Sequence, residues 1–343
     1  MTSDHHGATR VSVWAGRRDL PLYFVLAFLL SWWPWPLVAV NPDSSPMGPF
    51  GPLLAAVITA GLTGGRRGLG RLVAQLGRWP SAPRWYLIVL LVPVLITGLA
   101  AGLTMVLGGS PAGLPSRPDA GPVIATFVST VVLVGLFEEV GWRGYALPRL
   151  QHKMTGLRAA LLLGVIWALW HLPLLVSDPS RQRPVIPFVI LVVAQSVVLS
   201  WLYNSTRASL LLVIISHATI DTVARFVLPQ FTGKDYQFIW WCQAALWTGL
   251  AILVAATTQS TLNAAQCTAP ASAHRSTARV ARQTHPLAAA DRHPRWLHAN
   301  PSPARRGPRL NSTSSASSGS LAASHPAGAA NARDDSANDG GPR

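Results

Sequence analysis

The sequence predicts an all-α membrane protein: a bundle of about eight transmembrane helices followed by a disordered C-terminal tail. Three observations carry this. Only 12% of the residues are charged, against 50% hydrophobic, whereas a soluble domain carries about 25% charged residues. The apolar residues are gathered into runs near the length that crosses a bilayer as a helix. From residue 259 onward the chain turns to Ala, Ser, Pro, Arg and His without aliphatic periodicity, a composition that cannot bury enough apolar surface to order itself.

The elements follow in order. Residues 1–21 are a basic N-terminal segment, holding Arg10, Arg17 and Arg18. The apolar run after them continues through "SWWPWPLVAV", too long for the core of a cleaved signal peptide, so 22–41 reads as an uncleaved first span. The second, 49–64, is short and Gly-rich, and is expected to be tilted or re-entrant. Spans at 85–107, 121–137, 157–176, 185–203, 208–227 and 238–256 complete the membrane domain, 22–256. No internal repeat is visible, and 259–343 is a basic cytoplasmic tail. Two cysteines, Cys242 and Cys267, exclude a disulfide framework and a cysteine-based zinc site. Cys242 reads as a small buried hydrophobe.

The net charge of +15 does not point to nucleic acid, because no basic helix with interleaved aromatics and no nucleic-acid-binding signature is present. It marks orientation. Arg66, Arg67, Arg71, Arg78 and Arg84 fall in loop 65–84, and Arg143, Arg149, Lys153 and Arg158 in 138–158, whereas loops 42–48 and 108–120 carry Arg117 alone. With eight spans the basic segments share one side, the cytoplasmic one, in the cell membrane, and both termini lie inside. Arginines of the tail would contribute about 1 kcal/mol each if they met anionic lipid; the alternative is a solvated tail of no specific role.

Few ionisable groups lie in or at the end of the spans: Glu138, Glu139, Arg143, His171, His217 and Asp221. A charged side chain at the centre of a membrane helix costs roughly 2.5–3.5 kcal/mol on insertion scales, so the cheapest arrangement gathers all of them around one wet pocket. Positions four apart share a helix face, and three such pairs occur: Glu139 with Arg143, Trp167 with His171, and His217 with Asp221. Glu138 is turned about 100° from its neighbour and left free. A carboxylate beside histidines can take a proton from water and deliver it to a leaving amine, and His217 with Asp221 can polarise a carbonyl or hold an oxyanion. An ionised Asp221 cannot donate and would orient His217 instead. This suits peptide-bond hydrolysis; a serine mechanism lacks its G-x-S-x-G elbow. Gln195 and Asn204 read as structural rather than functional.

"EEVGWR" has the form E-E-x-x-x-R, "WALWH" the form aromatic-x-x-x-His, and "HATID" the form His-x-x-x-Asn/Asp. In this order, residues 121–225 resemble the catalytic core of the CAAX-protease and bacteriocin-processing (CPBP, Abi) family of intramembrane proteases. The resemblance implies a cavity open to the cytosol, with Glu138 activating water, His171 assisting, and His217 and Asp221 at the oxyanion site. Glu139, Arg143 and Trp167 support them. Trp167 stands where phenylalanine is usual, and Asp221 where the prenyl-protein proteases have asparagine. The expected reaction is cleavage of a membrane-associated peptide or protein without a cofactor. The alternative is zinc on Glu138, His171, His217 and Asp221, although no H-E-x-x-H spacing is present. Two competing functions are a non-proteolytic scaffold or bacteriocin self-immunity regulator, and a proton-coupled transporter, against which the lack of inverted-repeat symmetry speaks.

Overall fold

A computed structural model describes residues 19–80, 82–113, 119–177 and 183–258; the tail expected at 259–343 and most of the N-terminal segment lie outside them. The described residues form helices and no strands. In chain order these are α1 (Asp19–Trp32), a 3₁₀ turn (Trp35–Ala39), α2 (Gly51–Leu76), α3 (Arg84–Val106), α4 (Ala120–Gln151), α5 (Gly156–Trp170), the short α6 (Leu172–Val176), α7 (Val185–Ser205), α8 (Leu210–Val227) and α9 (Gly233–Thr257).

Each of the eight expected spans falls on a helix, and six stretches are long and apolar enough to cross a membrane: Asp19–Ala39, α3, α4, α7, Leu210–Gln230 and α9. The other two fall short for different reasons. α5 has 15 residues, about 22 Å at 1.5 Å each, against about 30 Å of hydrocarbon. α2 has 26 residues but carries arginines in its second half. The expected loop 65–84 is largely helix. Gly65, at φ 53°, introduces a kink in a backbone region that costs glycine little, and the helix then continues to Leu76. Beyond the kink Leu72 and Gln75 are buried while Arg66, Arg67 and Arg71 are exposed, an amphipathic pattern.

The largest departure concerns α4. The oily span was expected to end at the glutamates, yet the helix runs on to Gln151. Two π-helical stretches, Val131–Leu136 and Val140–Ala146, bracket the α-helical turn Phe137–Glu139. Such wide turns are rare and concentrate at functional sites. Two glycines set the depth of the packing. A Cβ on Gly135 would stand 3.0 Å from the carbonyl oxygen of Ile214 on α8, and one on Gly141 would stand 2.5 Å from that of Pro52 on α2. Close approach through small residues is how membrane helices associate where burial from water cannot drive them together. The glutamates are thus held between α2 and α8 inside the bundle.

Chain direction and contacts define two ends. At one, Arg78 donates to the carbonyl of Arg207 (3.2 Å), Ser209 donates to that of Arg78 (2.6 Å), and Arg149 pairs with Asp19 (2.8 Å). At the other, Trp32 donates to the Trp170 carbonyl (2.9 Å), Trp35 to Ser177 (3.0 Å), and the Ser110 amide to Asp235 (3.0 Å). Outward-facing leucines and valines such as Leu29, Leu91, Leu95 and Leu99 stay exposed along the helices, as a lipid-facing surface requires.

Candidate active site in the helix bundle

The ionisable residues singled out from the sequence do meet. Glu138, His171, His217 and Asp221 all line one cavity of about 120 Å³, with Trp167 in its wall. That is room for several waters, since each needs roughly 10–15 Å³ by this measure.

The geometry is built from local and long-range contacts. Glu139 and Arg143 form the expected ion pair, 2.9 Å apart and 0% exposed at both side chains. Arg143 therefore does not belong among the cytoplasmic loop charges; it is sealed in the bundle, with its guanidinium 4.5 Å from the Trp167 ring. Arg149, Lys153 and Arg158 remain to mark that end. Glu139 does more than pair with Arg143: its Oε1 also accepts from His217 Nδ1 at 2.7 Å. This bond joins α4 to α8 across 78 residues of sequence, which no local spacing could reveal. Glu138 stands apart. Its Oε2 accepts the Trp167 indole N–H at 2.8 Å, and the carboxylate borders the cavity.

The two histidines are fixed in complementary ways. His171 sits at the junction of α5 and α6, one residue before the Leu172–Pro173 start of the short helix. Its Nδ1 lies 2.8 Å from the Trp167 carbonyl; a carbonyl only accepts, so Nδ1 carries the proton. In the neutral ring Nε2 is then the nitrogen with a lone pair. His217 likewise commits Nδ1 to Glu139, which leaves Nε2 for the cavity, 3.7 Å from Asp221 Oδ2. That separation is an ion-pair distance, longer than a hydrogen bond. The Asp221 side chain is 42% exposed and forms the open edge of the site.

Among the described residues no three His, Cys, Asp or Glu side chains are grouped so as to hold a metal ion; both histidines commit Nδ1 and keep Nε2, the nitrogen that a metal or a water could use.

Comparisons with known proteins bear on the same segment. The family model of type II CAAX prenyl endopeptidase Rce1-like proteins matches residues 120–223, which run from the start of α4 through the three motifs to Asp221 and just beyond. Residues 120–223 are thus similar to the Rce1-like CAAX prenyl endopeptidase family. The chain is also 30% identical over 148 residues to CAAX prenyl protease 2 of Methanococcus maripaludis, a match that covers 39% of this chain and 53% of the relative. The chain thus spans about half the length of the curated relative it matches.

Along the antiparallel helices the cavity runs from mid-helix positions toward His171, Phe188 and Leu228. These lie near the end where α5 and α8 finish and α7 begins, opposite the arginine-rich end. Sequence reasoning missed part of the lining. Thr97, Phe188, Gln195, Trp240, Gln243 and Trp247 belong to the same cavity, and Gln195, read as structural from the sequence, is among its lining. The only sequence signal was the presence of amides in otherwise oily spans.

Proposed function

We propose that this chain is an intramembrane endopeptidase that hydrolyses a peptide bond of a membrane-associated peptide or protein through a water activated by Glu138, without a metal. One observation carries the reading: the Glu138 carboxylate, steadied on one oxygen by Trp167, borders a cavity large enough for water that it shares with two histidines of fixed orientation.

The residues divide the work as follows. Water donates one proton to Glu138 while its oxygen attacks the scissile carbonyl carbon. His171 Nε2 accepts from the other hydrogen of that water and orients it. The carbonyl oxygen becomes an oxyanion, and an imidazolium at His217, with Nδ1–H already on Glu139, donates to it through Nε2–H. Glu138 then returns its proton to the departing nitrogen, the C–N bond breaks, and a carboxylic acid and an amine leave. Asp221 cannot donate as a carboxylate; placed beside Nε2 it orients and balances the imidazolium, the role that asparagine at this position would not fill. Glu139 and Arg143 hold the scaffold of the site.

The substrate class follows from the bilayer setting and the matched family. The relative's name refers to prenylated proteins, and the test therefore includes both lipidated and unmodified peptides. The protein is placed in the cell membrane with its arginine-rich end and both termini cytoplasmic, so the cavity draws its substrate from the lipid or the opposite face.

The test is cleavage of a fluorogenic membrane-peptide library, half of it prenylated, by purified protein in liposomes. Cleavage by wild type that is lost in Glu138→Ala supports the endopeptidase. Equal cleavage by both removes Glu138 from catalysis, and no cleavage by wild type favours a scaffold. For orientation, Cys242 and Cys267 are replaced by serine, and single cysteines at Leu172 and Arg158 are treated with an impermeant maleimide in intact cells. Labelling at 172 alone supports the placement; labelling at 158 alone reverses it.

A further inference from the structure

Beside the acid and histidine groups, the cavity holds three polar side chains that the chemistry above does not use. Thr97 on α3, Gln195 on α7 and Gln243 on α9 all line it, and they are 3%, 5% and 3% exposed. None hydrogen-bonds to another described residue. Thr97 differs in this from Thr59, Thr104, Thr130, Thr206 and Thr219, whose hydroxyls fold back onto the carbonyl four residues earlier. It differs also from Thr222 and Thr248, whose hydroxyls are enclosed by protein; Thr97, Gln195 and Gln243 line the cavity instead. Three separate helices thus bring residues with unpaired polar groups to the lining of one space.

An unpaired amide in a low-dielectric interior is destabilising, and such groups persist where a ligand or water completes them. Their chemistry selects the ligand. A carboxamide offers one acceptor oxygen and two N–H donors, and a hydroxyl offers both roles. An anion would satisfy the donors and leave both amide oxygens unpaired. A cation would do the reverse, and a lipid chain would satisfy neither. A peptide unit presents one C=O and one N–H, the complement of a carboxamide. Phe188, Trp240 and Trp247 supply apolar walls for flanking side chains.

We infer that Thr97, Gln195 and Gln243 form a main-chain subsite that hydrogen-bonds a backbone amide of the substrate next to Glu138 and so fixes which bond meets the activated water. The inference rests on the endopeptidase reading and deepens it: the substrate enters unfolded and extended, and is gripped by its backbone as well as by its side chains.

The experiment uses a fluorogenic peptide that wild type cleaves in the library assay, remade with a single backbone ester in place of each non-scissile amide in turn. In wild type, one position is expected to lose about tenfold in kcat/KM, the size of a lost hydrogen bond. In Gln195→Leu or Gln243→Leu that ester penalty is expected to vanish, because the enzyme partner is already gone, while the all-amide peptide shows a raised KM. Thr97→Val, nearly isosteric, serves if the leucine variants do not fold. The ester scan on wild type needs no variant at all. The subsite is overturned if no non-scissile position is sensitive in wild type, or if the penalty persists in every folded variant. Cleavage that depends on Glu138 with a flat ester scan sinks the subsite alone; absence of Glu138-dependent cleavage sinks the endopeptidase reading, and the subsite with it.

Discussion

Near the arginine-rich end, Gln75 donates from Nε2 to the carbonyls of Gly144 and Arg71, both at 3.2 Å, and its Oε1 accepts from the Tyr203 hydroxyl at 2.5 Å. This node ties α2 to α4 and α7 with the amide's oxygen and nitrogen both used. Further back along the same α4, the glutamate cluster is completed differently. Glu139 Oε2 and Arg143 Nε and Nη2 have no hydrogen-bond partner among the described residues, and Glu138, His171 and His217 border a cavity. Both clusters are buried and polar, and both join helices distant in sequence. The difference separates structural glue from the candidate site: a satisfied network rigidifies the fold, whereas Glu138, His171 and His217, bordering a space with room for several waters, are available to a reactant.

That contrast can be broken or sharpened by substitution. Glu138→Gln keeps the shape and the Trp167 contact but cannot take a proton; cleavage is expected to fall by about 10²–10⁴-fold with an unchanged melting temperature, read by kinetics and intrinsic fluorescence on one sample. Arg143→Ala leaves Glu139 buried without its arginine partner and is expected to destabilise by about 3–5 kcal/mol, measured by thermal unfolding in detergent. Gln75→Leu strands the Tyr203 hydroxyl and the Gly144 carbonyl and is expected to lower stability by about 1–3 kcal/mol, with kcat per folded molecule unchanged; a large fall in kcat would erase the distinction between the two clusters. Trp167→Phe keeps an aromatic ring and removes the N–H on Glu138. A fall in kcat of about tenfold with little change in stability is expected from steady-state kinetics.

How much of this was legible in the sequence follows the range of the contacts. Glu139–Arg143, Trp167–His171 and His217–Asp221 are pairs four apart, and helical periodicity alone brings each together. The bonds that assemble them into one site, Trp167 to Glu138 and His217 to Glu139, span 29 and 78 residues and depend on which helices neighbour one another. The span boundary at residue 137 failed for a related reason: hydropathy counts Glu139 and Arg143 as charges, whereas the bundle holds them as a buried pair. The π-helical stretches of α4 left no mark, because "VVLVGL" is as apolar as any α-helical run. The amphipathic half of α2 was hidden by its arginines. Gln195 and Gln243 were visible as polar residues in oily spans, but that they face one cavity is a tertiary fact.

The central claim is that Glu138 activates water and does not itself attack the peptide. A single turnover in ¹⁸O-enriched water, with enzyme in excess over a cleaved membrane peptide and mass analysis of both products and protein, tests it most directly. The account predicts one ¹⁸O in the newly formed peptide carboxyl and none in the enzyme; ¹⁸O found in the Glu138 side chain, with an unlabelled product, would contradict it.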